Sequence, residues 1–380
     1  MGSKTNVPSP NIDSPGIGLV GFGYWGEKVL RNLAASRRLR LDSIAELDAD
    51  RLGDAIAAYP GLAGYADYRQ MLRRPSLDAV IVATPAASHF EIAFEVLRSG
   101  RPVLVEKPLA TSVKHARILV EEAERRRLPL MVGHTFVYSG AVETLGRLIG
   151  DGELGTLRSY EGTRVNLGRF QPDVDVLWDL AVHDLSILDH VLTERPTAIS
   201  ATGVAHLAGQ PTNLAYATLF YLDSLLAHLH VSWLAPIKQR RALITGSRRM
   251  VVYDDTATTE KLRLFDAGVD LVEDAAGRRL DYRRNGFECP GWDPAEPLRT
   301  EIDHFADCVA TGTRPRSDGF AGLRVVTILE AADRSLEARG ELIELSTLIE
   351  GPSPSASRAR QPAPSRAPIT SLRVPAPSTS

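Results

Sequence analysis

The segment Gly21-Phe22-Gly23-Tyr24-Trp25-Gly26 constrains this chain more than any other. A G-x-G-x-x-G turn has chemical meaning only where it leaves a buried strand and opens a helix. Both neighbours are present: Ile17 to Val20 is a short apolar run, and Glu27 to Ala35 has the period of a helix. In that setting Gly21 makes the tight turn, Gly23 lets the backbone approach a pyrophosphate, and Gly26 lets helix and strand pack closely. Phe22, Tyr24 and Trp25 fill the rest of the turn, and the helix N-terminus offers N–H groups and partial positive charge to phosphates. Glu46 ends the second strand, about twenty residues past the last glycine, where a carboxylate can accept ribose hydroxyls. It would repel a 2′-phosphate, so NAD is expected, while the nearby Arg51 leaves NADP open.

The same alternation continues. Strands are expected at Leu41 to Glu46, Asp78 to Thr84, Val103 to Val105 and Leu130 to Val132, with helices near Asp50 to Ala58, Ser88 to Arg98 and Ser112 to Arg127. Continuous apolar strands between helices mean a parallel sheet covered on both faces. The fold class is therefore α/β, with a Rossmann doubly wound parallel sheet over residues 16–134.

Beyond it the pattern changes. Helices are expected over Ala141 to Ile149, Val176 to Leu192, Thr300 to Ala310 and Leu323 to Arg339. In Leu226 to Trp233, Ala227, Leu229, Val231 and Trp233 share one face, and Arg241 to Thr245 with Arg249 to Tyr253 reads as a hairpin. Residues 135–349 thus form an α+β domain with an open, mainly antiparallel sheet, for substrate binding and oligomerisation. Residues 1–15 and the Pro-, Ser- and Arg-rich 350–380 read as disordered tails.

Composition narrows the partners. A net charge of −3 leaves no electrostatic footprint for nucleic acid or an anionic membrane, and no apolar run approaches the length of a bilayer span. Two cysteines outside any CxxC pair fit the reducing cytoplasm. No metal site is expected. His228 and His230 have His-x-His spacing but no evident third ligand, and a sheet face or subunit interface explains them better.

Two places carry chemistry. Glu106-Lys107-Pro108 follows the strand Val103 to Val105, and ligands of open parallel sheets bind at the carboxyl ends of strands. An ammonium there can polarise a substrate oxygen; on physics alone Lys107 could equally be a solvated loop lysine. Asp179 and His183 stand i, i+4 on a helix, so a carboxylate could orient an imidazole base. On pattern alone, the solvated stripe of an amphipathic helix is the commoner reading of that face. Arg164 and Asn166 are candidate substrate contacts, the arginine for a diphosphate or carboxylate, with a surface arginine the equal alternative. Tyr138 can bind sugar hydroxyls or simply pack between domains.

Taken together, Gly21 to Gly26, Ala83-Thr84-Pro85 with His89, Glu106-Lys107-Pro108, Gly133-His134, Asp179 with His183, and Glu301 to Phe305 through Ser335-Leu336 resemble the glucose–fructose oxidoreductase/inositol dehydrogenase (Gfo/Idh/MocA) family over about residues 16 to 348. The resemblance implies hydride transfer between a nicotinamide and a secondary alcohol of a sugar or cyclitol. It implies that Lys107 is the active-site lysine, that Thr84, Pro85, His89 and Glu106 line the nicotinamide side, and that His183 contacts the reacting hydroxyl with Asp179 positioning it. Where many members carry two glycines, this chain has Val176-Leu177-Trp178; with Tyr24-Trp25 this resembles the subgroup of UDP-N-acetylglucosamine 3-dehydrogenases. Ser139 departs from the asparagine common there. The expected activity is an NAD(P)-dependent dehydrogenase or ketoreductase, with a nucleotide sugar as substrate and a homodimer or homotetramer as the assembly. The alternatives are a redox-mediated NAD-dependent glycosidase and a non-catalytic NAD-binding sensor or scaffold.

Overall fold

A computed structural model describes residues 14–345, apart from 169, 172, 223, 224, 275 and 276. The two tails read from the sequence fall outside these residues, except for 14 and 15 of the first and for nothing of the second. The chain divides into two compact units, one of residues up to 138 with 295–326, the other of 139–294 with the residues from 327 on.

The first unit is built on six parallel strands: β1 (Gly16–Val20), β2 (Arg40–Ala45), β3 (Ala63–Tyr65), β4 (Ala79–Val82), β5 (Val103–Glu106) and β6 (Leu130–Gly133). Their order, β3-β2-β1-β4-β5-β6, reverses direction of growth at β1, which puts a topological switch point between β1 and β4. The helices are α1 (Tyr24–Ala35), α2 (Ala49–Ala58), the single turn α3 (Tyr68–Met71), α4 (His89–Arg98) and α5 (Val113–Arg126). Strands β1, β4, β5 and β6 are buried along their whole length, as their unbroken apolar runs require. On β2, Asp42 is buried against Arg40 at 2.8 Å, Arg74 at 2.7 Å and Ser76 at 2.7 Å. Burial works against that charge, but Arg74, Arg40 and Ser76 outweigh it and hold the carboxyl below the usual range.

The second unit opens with α6 (Gly140–Gly150) and continues through β7 (Leu157–Leu167), α7 (Val182–Val191), β8 (Ala198–Val204), β9 (Leu214–Phe220), β10 (Leu226–Ser232), β11 (Leu234–Gly246), β12 (Met250–Asp254), β13 (Leu262–Asp274) and β14 (Gly277–Glu288). The chain then returns to the first unit for α8 (Pro297–Thr311) and the start of α9 (Gly319–Glu337), whose later part and the short β15 (Ile343–Glu344) belong to the second. Nine strands form one sheet in the order β14-β13-β12-β11-β7-β10-β9-β8-β15, antiparallel throughout except for β7 beside β10. The alternation read in Leu226 to Trp233 is real: Ala227, Leu229, Val231 and Trp233 are buried, while Tyr216, Leu226 and Leu243 stay exposed on the sheet. His228 and His230 lie among these half-open positions; the Tyr216 ring stands 4.6 Å from His230, and Thr218 bonds His228 at 2.9 Å. Among the described residues no group of three or more His, Cys, Asp or Glu is placed to hold a metal ion. None of their helices is long and apolar enough to cross a membrane.

One helix changes units relative to its place in the sequence. The pattern puts Thr300 to Ala310 in the second domain, yet α8 packs in the first: Leu298, Ile302, Phe305 and Ala306 share one buried cluster with Val29, Leu30 and Leu33 of α1. Ser36 bonds Asp303 at 2.7 Å and Arg38 bonds Asp307 at 2.7 Å along the same seam. Helix period reports which face is apolar, not which partner will cover it.

Candidate cofactor and catalytic site

The glycine turn leaves β1 at the switch point and enters α1, the crevice where open α/β sheets take ligands. Gly21 has φ of +95°, and a Cβ there would stand 2.7 Å from the Ala83 carbonyl oxygen. At Gly26 a Cβ would meet the Gly21 oxygen at 2.3 Å, so neither position accepts a side chain. Around Gly23 the space is open, with nothing within 4 Å of an added Cβ. Asp48 caps α2 and Ser112 caps α5, whereas no side chain caps α1. Open room at Gly23 and an uncapped helix start fit a dinucleotide pyrophosphate. Phe22 and Trp25 pack against the core, and Tyr24 is exposed with the Lys28 ammonium 3.7 Å from its ring centre.

Glu46 follows β2 and reaches back to the turn. Its Oε2 accepts the Phe22 N–H at 2.6 Å, and its Oε1 accepts the Asp48 N–H at 3.0 Å. A carboxylate held there by two backbone donors suits ribose hydroxyls and opposes a 2′-phosphate. Glu46→Gln should move the NADP/NAD ratio of kcat/KM toward NADP by about tenfold, from the roughly 1.4 kcal/mol of repulsion between close, solvent-screened charges. Steady-state kinetics with both cofactors check this, and an unchanged ratio would remove Glu46 from the ribose site.

The Lys107 corner lies at the end of β5, with a cis peptide between Lys107 and Pro108. Lys107 is half-buried, and its backbone N–H donates to Glu106 Oε2 at 3.3 Å. Glu106 is buried and also accepts the Trp25 indole N–H, linking this corner to the glycine turn. Burial pushes the Glu106 carboxyl up to about 7, against the opposing pull of Trp25 and Lys107. His89 is buried too. Its Nδ1 lies 2.7 Å from the Pro108 carbonyl oxygen and its Nε2 2.9 Å from that of Thr84. His89 therefore serves the site through the backbone on either side of it, while Thr84 Oγ1 accepts the Ser88 hydroxyl at 2.7 Å. Thr84, Pro85, Glu106 and Lys107 are thus gathered at the ends of two adjacent strands, β4 and β5.

In the second unit Asp179 falls in a π turn, Leu177–Ala181, that runs into α7; such turns recur at functional sites. Asp179 Oδ2 accepts the Trp233 indole N–H at 3.0 Å, and His183, the second residue of α7, is half-buried. On the polar face of this helix Ser186 is buried and Asp179, His183 and His190 are half-buried, so the face is not fully solvated. Asn166 is half-buried near the end of β7.

Two candidate substrate contacts turn inward instead. Tyr138 is 2% exposed and its hydroxyl pairs with Ser317 at 3.0 Å, so the ring packs within the first unit rather than facing a ligand. Arg164 is 3% exposed; its Nε donates to Asp184 Oδ2 at 2.8 Å, and Tyr160 donates to Oδ1 at 2.8 Å. β7 alternation sets Tyr160, Gly162 and Arg164 on the covered face, where Asp184 meets the arginine that a diphosphate was expected to meet. Sequence reasoning missed Asp184, Trp233 and Glu301. Only Asp184 had a local signal, a charge beside His183 with apolar residues on either side.

The residues 16–134 match a model described as an oxidoreductase family with an NAD-binding Rossmann fold, and 142–252 match the GFO/IDH/MocA C-terminal domain. A protein of Acidithiobacillus ferrooxidans named UDP-N-acetylglucosamine 3-dehydrogenase is 27% identical, over 81% of this chain and 93% of its own length. A solved structure of the UDP-N-acetylglucosamine 3-dehydrogenase from that organism superposes with a TM-score of 0.71 at 26% identity, covering 85% of this chain and 97% of the other. An enzyme of gentamicin A biosynthesis, solved with NAD, gives a TM-score of 0.74 at 25% identity over 89% and 99%. With both of its domains matched in order, this chain belongs to the Gfo/Idh/MocA family and is an NAD(P)-dependent oxidoreductase acting on CH–OH groups.

Proposed function

We propose that the chain transfers hydride between NAD and a secondary alcohol or ketone of a nucleotide sugar. The observation that carries this reading is the Lys107 corner at the end of β5, tied through Glu106 to the glycine turn. The nucleotide-sugar class is supported by the likeness to a UDP-N-acetylglucosamine 3-dehydrogenase over 93% of that protein's length. Tyr24-Trp25 and Trp178 support it further.

When bound, the nicotinamide accepts or returns the hydride. Lys107 donates a hydrogen bond to the reacting oxygen and holds the negative charge that develops on it. His183 takes up or returns the hydroxyl proton, and Asp179, fixed by Trp233, positions it. Thr84, Pro85 and Glu106 line the cofactor side, with His89 holding their backbone, and Asn166 contacts the substrate. Tyr216, Leu226 and Leu243, exposed on the second unit's sheet, favour a homodimer or homotetramer that covers this face. The free thiols of Cys289 and Cys308 suit the cytoplasm.

A panel of nucleotide sugars, free sugars and cyclitols, each with NAD and NADP, tests the reading by the reduced cofactor formed. Stoichiometric NADH from a nucleotide sugar is expected. Turnover of free sugars or cyclitols alone would overturn the substrate class, and NAD binding without any turnover would overturn the mechanism.

A further inference from the structure

A second carboxyl stands behind the Lys107 corner, and nothing in the reaction above uses it. Glu301 lies in the first turns of α8 and is completely buried. Its Oε2 accepts the Thr135 hydroxyl at 2.8 Å; its Oε1 has no hydrogen-bond partner among the described residues. Thr135 follows β6 by two residues, and β6 pairs with β5 so that Gly133 sits opposite Glu106. There is no side chain at Gly133 to separate them: a Cβ would stand only 3.0 Å from Glu106 Oε2. The Glu106 carboxylate, the Thr135 hydroxyl and Glu301 are thus drawn to one end of these two strands.

We propose that Glu301 is a positioning residue that acts through Glu106: a neutral carboxylic acid whose proton is shared with the Glu106 carboxylate, holding it against the Trp25 indole and the Lys107 backbone. Two ionised carboxylates cannot coexist in a site without water, and one acid with one carboxylate can. Burial first, and the Glu106 charge second, hold Glu301 above the ordinary carboxyl range. Among the described residues Glu106 has two N–H donors, from Trp25 and Lys107, and Glu301 only the Thr135 hydroxyl, so the proton of the pair rests on Glu301. The other titratable groups on the elements packed here leave this order in place. Lys107 favours an ionised Glu106. Tyr138 is raised by burial and by Glu301 and stays neutral. His304, one turn along α8, is lowered to about 4 by burial and by Arg316 and carries no charge at neutral pH. His134 precedes Thr135 on the segment after β6. Above the Glu106 midpoint the pair then carries one negative charge beside the Lys107 ammonium. What is positioned depends on Lys107 being the reaction centre; the pair itself does not.

The test is made on the full-length protein without substrate, so its outcome is separate from that of the substrate panel. An acid with a raised folded-state pKa favours the fold below its unfolded value near 4.5 and loses that advantage as pH rises toward the folded value. E301Q, which mimics the protonated acid, should therefore gain Tm relative to wild type as pH rises from 5 to 8, by about 5 °C or more. A constant or falling difference would mean that Glu301 is ionised and would overturn the proposal. The positioning role is read from Trp25 emission, taken as the difference from W25F, during a pH titration. Wild type should titrate near the Glu106 value of about 7. E301Q should keep that midpoint because its amide still donates to Glu106, while E301L should move it upward by about one unit, as loss of a donor disfavours the carboxylate. Identical midpoints in E301L and wild type, or a Gln variant shifted as far as the Leu variant, would overturn it. If E301L does not fold, the Tm series of E301Q still decides.

Discussion

Lys107→Ala should lower turnover by roughly 10²–10³-fold while NAD still binds within a few-fold of its wild-type affinity. Lys107 follows β5 at the strand's carboxyl end and its bond to Glu106 is made by its backbone N–H, so removing the side chain leaves that bond and the Glu46 contact to the glycine turn in place. His183→Asn should cost about 10²–10⁴-fold in the same assay, the usual range for a positioned acid or base. Stopped-flow or steady-state measurement of NADH, with cofactor affinity from fluorescence titration, separates chemistry from binding. Near wild-type turnover in either variant would remove that residue from the mechanism. A parallel loss of NAD affinity in Lys107→Ala would recast it as a binding residue.

The second large effect falls on stability. Asp184→Ala should destabilise the protein by about 3–5 kcal/mol, because the Arg164 guanidinium is left as a buried charge without its carboxylate. Tyr160 loses its acceptor in the same step. Asp184→Asn keeps one oxygen for Tyr160 and should cost less. Replacing Asp184 and Arg164 together by apolar residues should recover much of the loss, since the desolvation penalty of both ions disappears. Urea and thermal unfolding of the four proteins measure this. Should Asp184→Ala unfold at the wild-type midpoint, the ion pair would contribute nothing. Asp184 follows His183 directly, so the same variant should also lower turnover beyond what its unfolded fraction explains.

What could be read from the sequence was what is local. The Gly21 to Gly26 turn, Glu46 and the strand before Lys107 each depend on neighbours within a few tens of residues, and each stands where the pattern puts it. The hairpin at Gly246 and the alternation in Leu226 to Trp233 were legible for the same reason. Tyr138 and Arg164 stay open in the sequence between a ligand and a packing or surface role because their partners are remote: Ser317 is 179 residues from Tyr138, and Asp184 is twenty from Arg164 on another element. A lone tyrosine or arginine has the same appearance in a sequence whether it meets a ligand or a buried partner. Trp233 was legible as a core residue but not as the indole that fixes Asp179, 54 residues away. Glu301 gave no sign of burial, since an acid on an amphipathic helix is ordinarily solvated. Helix α8 was legible as a helix, and its membership in the first unit rests on packing that periodicity does not encode.

The His89 clamp bears on the thermodynamics of cofactor capture. The buried ring stands between the Thr84 carbonyl on one loop and the Pro108 carbonyl on another, donating to one of them as a neutral imidazole and to both as an imidazolium, so it ties the two loops together as the chain folds. A ligand that must freeze loose segments gives up part of its interaction energy to their lost conformational freedom. Here that entropy is settled before the dinucleotide arrives. More of the contact energy on the nicotinamide side is then left for affinity and for orientation of the ring.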